Sequence, residues 1–280
     1  FWLLIFNQWS RLRPLYLPTG VALFLAIAAP WHILAAQRNP VWAHFYFVRE
    51  HWERFTTTEH GRFEPWWYFA PIVAVGLFPW TGCLWGALRS ALAGGWSRRK
   101  QNADAWYLVT WAVFIFLFFS KSQSKLIPYI LPVFPPLAVL MGVWLAGIWR
   151  RNDVRQVRWA LWVFGLMAAT LGIALIVVLV VPNLVADAAK LATLKPDGLL
   201  AAVALLAGAV LVPVLTRRGQ LRAAMISLAA VVGVFYLVLG EAQDKVGRPG
   251  TKSFALLVKE EIQPGDEVYH YHEFFHDFTY

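Results

Sequence analysis

The sequence predicts an all-α polytopic membrane protein. It would have about seven transmembrane helices, amphipathic helices on the outer face, and the start of a small α/β domain near the C-terminal end. Three observations carry this prediction. Of 280 residues, 59% are hydrophobic and 15% charged, with a mean hydropathy of +0.53, an apolar share above that of soluble globular domains. The apolar residues run in blocks of roughly 20, the length that takes a helix across the hydrocarbon core. Many of the 16 tryptophans stand at block edges, among them Trp66, Trp67, Trp80, Trp106, Trp149 and Trp159, where indoles settle at the membrane–water boundary. The lone Cys83 lies inside an apolar block and has no partner for an intrachain disulfide, so cysteine usage says little about compartment.

In chain order, the blocks fall at 15–36, 67–89, 104–119, 127–149, 159–182, 198–216 and 223–241. Ahead of them, "FWLLIFNQW" reads as the end of an earlier span or an interfacial helix, with no signal-peptide n-region. The connections alternate in charge. Arg11 and Arg13, then Arg98, Arg99 and Lys100, then Arg150, Arg151, Arg155 and Arg158, then Arg217, Arg218 and Arg222 make one basic set. The alternate set, 37–66, 120–126, 183–197 and 242–280, is mixed in sign. The positive-inside rule puts the basic set in the cytoplasm and the mixed set outside. Much of the formal +9 charge is explained this way, and no nucleic-acid partner is implied. Residues 1–241 form the transmembrane region and 242–280 the start of the α/β domain. There "TKSFALLVKEEI" has helical spacing, "QPG" breaks it, and "DEVYHYH" alternates as a strand does.

The ionisable residues concentrate outside. Between Val41 and Phe55, the residues Phe45, Val48, Trp52 and Phe55 form one stripe, with His44, Arg49, His51 and Arg54 spread over the rest. This predicts an amphipathic helix lying on the membrane surface, with His51 and Arg54 side by side at three-residue spacing. His60 and Arg62 follow in the same loop. A solvated helix face is the plainer account of such charges. Glu50, His51 and His60 offer metal-ligand atoms, but in no recognised ligand spacing, and no cofactor is implied. The stretch "SKSQSKLIPY" forms a short outer turn that holds Lys121 and Lys125 at or near the bilayer surface. Lysines at span ends often only snorkel. Here Pro128, Pro132, Pro135 and Pro136 make the returning helix irregular, which membranes tolerate where the backbone lines a cavity or is buried in protein.

"EHWERFTTTEHGRFEPWWYF", "GLFPWTG" and above all "FFSKSQSKLIPYILPVFPPLAVLMG" resemble the bacterial membrane glycosyltransferases of the GT-C class. The nearest are those related to 4-amino-4-deoxy-L-arabinose lipid A transferase, in the protein-mannosyltransferase superfamily. The resemblance extends from about Trp31 to the tail. It implies a multi-pass bacterial inner-membrane enzyme with its active-site loops and C-terminus in the periplasm. The implied reaction moves a sugar from a polyprenyl-phosphate carrier to a lipid A-like, other lipid or protein acceptor. It further implies that His51 and Arg54 belong to the loop lining the active-site cavity, and that Lys121, Lys125 and Tyr129 match the turn near the carrier phosphate. The candidate substrate-binding set is therefore His51, Arg54, His60, Arg62, Lys121, Lys125 and Tyr129. The family's acidic catalytic residue lies in the first outer loop, for which this chain has no matching region. The chain thus reads as the C-terminal portion of a longer enzyme, with its catalytic residue unassigned.

Two other classes fit less of the sequence. A transporter or flippase for an anionic lipid-linked substrate calls for charges inside the spans, which here carry theirs near the ends. A membrane scaffold gives no reason for a proline-broken helix behind a two-lysine turn. In the tail, His270 and His272 share a strand face with His276 close by. Simple alternation on a half-exposed strand gives that spacing without any metal.

Overall fold

Among the described residues, six helices are each long and apolar enough to cross a membrane: Leu17–Arg38, Ala103–Lys121, Ile127–Arg151, Val154–Val180, Lys190–Arg217 and Leu221–Lys245. The computed structural model describes residues 2–57, 63–181 and 188–246, with Leu256, Lys259 and Ile262 beyond them. The expected tail helix and strand, with His270 and His272, otherwise lie outside the described residues.

The chain starts with α1 (Trp2–Phe6), a 3₁₀ stretch over Trp9–Leu15, and α2 (Leu17–Arg38). None of α2 is buried, and Leu23, Phe24 and Ile27 stand exposed. An all-round apolar helix with no covered face is suited to lipid. The loop helix His44–Glu53 runs into a single turn, α3 (Arg54–Thr56).

The apolar block 67–89, expected as a span, is not one continuous helix. It forms two short helices, α4 (Phe69–Gly76) and α5 (Cys83–Ala91). At 1.5 Å per residue, neither helix of 8 or 9 residues crosses a bilayer alone, and only the two in series can do so. The interruption lies in "GLFPWTG". Pro79 lacks an N–H and disfavours helix at the residue before it. Local bonds replace the helical ones: Thr81 Oγ1 donates to the Ala74 carbonyl at 2.7 Å and Trp80 N to the Leu77 carbonyl at 2.7 Å. Phe78 stacks on Phe164 with ring centroids 5.8 Å apart. Among the described residues the seventh expected span is thus two short helices in series rather than one long one.

Next come α6 (Ala103–Lys121), a 3₁₀ segment over Ile127–Val133, and α7 (Phe134–Arg151). The prolines place this irregularity as expected. Pro128 opens the 3₁₀ segment and Pro132 lies within it, while Pro135 and Pro136 occupy the first turn of α7, where no intrahelical donor is missed. Asn152, in the left-handed conformation at φ 52°, ends α7. It is followed by α8 (Val154–Val180), α9 (Ala188–Arg217) and α10 (Leu221–Val246).

Two compact units result. Phe1–Leu166 and Val212–Met225 make one, and Met167–Leu211 and Ile226–Tyr280 the other. In the first, Phe69, Ile130, Ile148, Leu161 and Phe164 are fully buried. Trp2 pins α1 to α6 by donating its indole N–H to the Ala103 carbonyl at 3.0 Å. In the second, small residues let helices close on one another. A Cβ at Gly172 would come 2.9 Å from Leu206, and one at Gly208 would come 2.9 Å from Val231. Residues 188–197, expected in a connection, instead extend α9 through Pro196. Lys245 near the end of α10 pairs there with Asp197 at 2.8 Å.

Candidate functional site

The turn after α6 is tied down by its own polar atoms. Ser122 Oγ donates to the Ser124 carbonyl at 2.9 Å. Lys125 Nζ donates to the carbonyls of Ser122 at 2.6 Å and Glu64 at 2.7 Å. The Gln123 amide donates to the Phe55 carbonyl at 3.0 Å. The turn therefore grips the outer loop on both sides of residues 58–62. Lys125, expected near the bilayer surface, is buried within the protein at 5% exposure, with its ammonium 5.8 Å from the Phe63 ring centroid. Burial holds its pKa below the ordinary lysine value, partly countered by the Glu64 carboxylate. Lys121, at the end of α6, is exposed. The hydroxyls of Ser120 and Ser124 are buried without a hydrogen-bond partner among the described residues.

The loop helix differs in pitch from the helix expected over 41–55. Over His44–Glu53 its backbone bonds run i→i+5, the wider π pattern. Such turns are rare and recur at functional sites. Wider turns displace the i, i+3 neighbour logic, and His51 Nδ1 accordingly meets the carbonyl five residues back, Tyr46 O, at 2.5 Å. A carbonyl can only accept, so Nδ1 carries the proton and Nε2 is left to face a ligand. Tyr46 also crosses the His51 ring edge-on at 4.9 Å and stacks on Trp42 at 5.2 Å. Of Arg54 only the backbone is described, so its pairing with His51 is not seen, and His60 and Arg62 lie outside the described residues.

Between the loop helix and the turn lies a cavity of about 780 Å³. The loop contributes Tyr46, Phe47, Glu50, His51, Trp52 and Phe55, and the α6–turn side contributes Phe118, Phe119, Ser122 and Tyr129. Phe55 stacks on Phe118 at 4.7 Å, and Phe119 lies 5.5 Å from Tyr129. The result is an aromatic trough with a phenol, a hydroxyl, an imidazole and a carboxylate among its walls. It can take an apolar chain that ends in a polar, hydrogen-bonding head. Of the sequence-derived candidates, His51 and Tyr129 meet here. The residues that sequence reading did not single out are the walls: Tyr46, Phe47, Phe118 and Phe119. Their signal was present as "FYF" and "FLFFS", aromatic runs flush against polar positions. No three of His, Cys, Asp and Glu converge on a metal-sized site among the described residues.

No family model matches the chain. Individual proteins do. The chain is 38% identical over 177 residues to the undecaprenyl phosphate-alpha-4-amino-4-deoxy-L-arabinose arabinosyl transferase of Pectobacterium atrosepticum, a match covering 60% of this chain and 31% of that protein. A second protein of that name, from Proteus mirabilis, is 33% identical over 181 residues, covering 65% of this chain and 31% of the relative. In fold, the chain is similar to the crystal structure of ArnT from Cupriavidus metallidurans bound to undecaprenyl phosphate. The TM-score is 0.73 at 30% identity, over 99% of this chain and 48% of that one. The apo form of the same protein superposes with a TM-score of 0.67, over 94% and 46%. The chain thus spans about a third of the curated relatives it matches and about half of the solved structures. The resemblance read from the turn and loop motifs is met in both sequence and fold.

Proposed function

We propose that this chain serves a bacterial inner-membrane glycosyltransferase reaction, in which a sugar passes from a polyprenyl-phosphate carrier to lipid A or a related acceptor at the periplasmic face. The cavity carries the reading. Its aromatic walls, Phe47, Trp52, Phe55, Phe118 and Phe119, suit an isoprenoid chain, and Tyr129 and His51 suit the phosphate at its end. Similarity to a protein crystallised with undecaprenyl phosphate supports the same assignment.

In such a transfer an acceptor oxygen attacks the anomeric carbon while the bond from that carbon to the carrier phosphate oxygen breaks. The phosphate leaves with the electron pair, and the acceptor proton goes to a base. Hydrogen-bond donors fixed around the departing phosphate favour the transition state, where its charge is growing. Tyr129 can donate directly. His51, with Nδ1 committed to the Tyr46 carbonyl, donates from Nε2 only as the imidazolium. Lys121 adds positive charge at the end of α6, and Arg54, His60 and Arg62 belong with it to the proposed substrate-binding set. Lys125 acts through the turn that carries Ser122 and Tyr129. The loop charges orient the reaction, with the basic connections in the cytoplasm and the cavity on the opposite side.

The test is undecaprenyl phosphate binding by the protein in nanodiscs, comparing wild type with Tyr129→Phe. Removing the phenol hydroxyl should weaken binding roughly tenfold, as expected for one lost hydrogen bond to a charged group, with the melting temperature unchanged. Equal affinity in the two proteins would remove Tyr129 from the phosphate site and with it the placement of the carrier head.

A further inference from the structure

At the end of the spans that carries the basic connections, α5, α7 and the start of α8 enclose a second, separate pocket of about 470 Å³. It is lined by Trp85, Gly86, Arg89, Ser90, Trp144 and Gln156. Its shape follows from two glycines of α5. A Cβ at Gly82 would lie 2.7 Å from the Ala160 Cα, and one at Gly86 would lie 2.2 Å from the Trp144 ring. The short helix is thereby seated hard against α7 and α8. One turn further along α5, Arg89 and Ser90 face the remaining gap.

The chemistry of that gap points to an anion. Arg89 is exposed, and among the described residues no acidic group pairs with it. The acid nearest in sequence to the pocket, Asp153, is already engaged by the Arg155 amide at 3.2 Å and the Gln156 Nε2 at 2.7 Å. That leaves the guanidinium fork, the Ser90 hydroxyl and the second Gln156 N–H as donors around one space. Arg150, Arg151, Arg155 and Arg158 stand exposed in the adjoining connection and helix start. They raise the local potential without entering the pocket. The other two walls are indoles: Trp144 is nearly covered, whereas Trp85 is 71% exposed. An unpaired guanidinium beside an exposed indole at a span end matches the phosphate and glycerol region of a lipid, with acyl chains continuing along the apolar helices.

We infer that this pocket holds the head group of an anionic phospholipid, with Arg89 forking onto its phosphate. Because Arg89 is remote in sequence from the loop helix and the turn, the inference stands independently of the carrier-lipid assignment.

Native mass spectrometry of the protein, released from nanodiscs of phosphatidylcholine mixed with phosphatidylglycerol, reads out the retained lipid. A parallel melt compares phosphatidylcholine alone with the mixture. Wild type should retain one phosphatidylglycerol preferentially and melt higher in the mixture. R89Q should lose that preference about tenfold, equivalent to roughly 1.4 kcal/mol, while melting as wild type in phosphatidylcholine alone and binding undecaprenyl phosphate as before. R89K should keep part of the preference, since it retains charge but not the fork. R218Q, which removes an exposed charge from a different basic connection, should leave it unchanged. Equal retention in R89Q and wild type would overturn the inference. So would equal losses in R89Q and R218Q, which would mean a diffuse surface charge, or a lower R89Q melt in phosphatidylcholine, which would mean a structural arginine. Displacement of the lipid by excess inorganic phosphate would also overturn it, because the site would then read phosphate alone.

Discussion

Replacing Lys125 by Met separates two roles that a lysine in this turn can have. The side chain is 5% exposed, and Nζ donates to the Ser122 and Glu64 carbonyls at 2.6 and 2.7 Å. Methionine keeps much of the stem and removes both bonds, leaving two carbonyls short of a donor. A hydrogen bond involving a charged group is worth about 1.5–3 kcal/mol. Relief of the buried charge offsets part of the loss, because burial already holds the lysine pKa below its ordinary value. The net expectation is about 2–4 kcal/mol of destabilisation, or a melting temperature lower by roughly 5–10 °C in a chain of this size. Undecaprenyl phosphate affinity should fall with it, since Ser122 and Tyr129 ride on the same turn. Alkaline pH should not mimic the substitution. A depressed lysine pKa means that the folded state sheds the proton first. The charging penalty is present in full below the folded pKa and is relieved as pH rises from there towards the unfolded value near 10.4. The neutral amine still donates to both carbonyls. Thermal melts and lipid binding on the same nanodisc preparations decide the matter. If the Met variant keeps its melting temperature and loses only affinity, Lys125 touches the phosphate itself and the positioning argument fails.

Gly82→Ala should destabilise by about 1–3 kcal/mol through overpacking. The new Cβ meets the Ala160 backbone, Cα at 2.7 Å and O at 2.8 Å, which cannot rotate away. Gly142→Ala, with nothing within 4 Å of the added Cβ in mid-α7, should instead gain about 0.5–1 kcal/mol. The two melts should therefore shift in opposite directions. For orientation, in a Cys83→Ser background, a cysteine at Lys121 should react with an impermeant thiol reagent in intact cells and one at Gln101 should not. Both positions are exposed, and the reverse pattern would invert the sidedness of the proposed site.

Much of the fold was legible because a bilayer leaves a chain few options. A run of some 20 apolar residues must be a helix there, and α2, α6, α7, α8, α9 and α10 each lie where such a run does. What the sequence did not disclose is where two apolar stretches fail to join. Hydropathy is continuous through 67–89, and the break between α4 and α5 depends on Pro79 acting together with tertiary contacts, Phe78 on Phe164 and Gly82 on Ala160. Composition carries no trace of those partners. The same limit explains α9. Its first turns, with Leu191 and Leu194 on the walls of an apolar crevice lined also by Leu179 and Val238, look like a connection until the neighbouring helices are in place.

The site was legible in identity more than in geometry. His51 and Tyr129 came from motif and charge, and they do meet across one cavity. Lys125 shows what residue type alone leaves unread. A lysine between two spans is ordinarily read as a cation for lipid heads, but here two carbonyls 61 and 3 residues away in sequence claim it. Pairings that long-range are fixed only once the outer loop has folded back over the turn. The π-helical pitch of His44–Glu53 is a further case. A 3.6-residue period does not bring His51 to the backbone five residues back, whereas the wider turn gives its Nδ1 the Tyr46 carbonyl. In both places the sequence supplied the reactive groups, and the hydrogen bonds of the folded chain decided which of their atoms remain for a ligand.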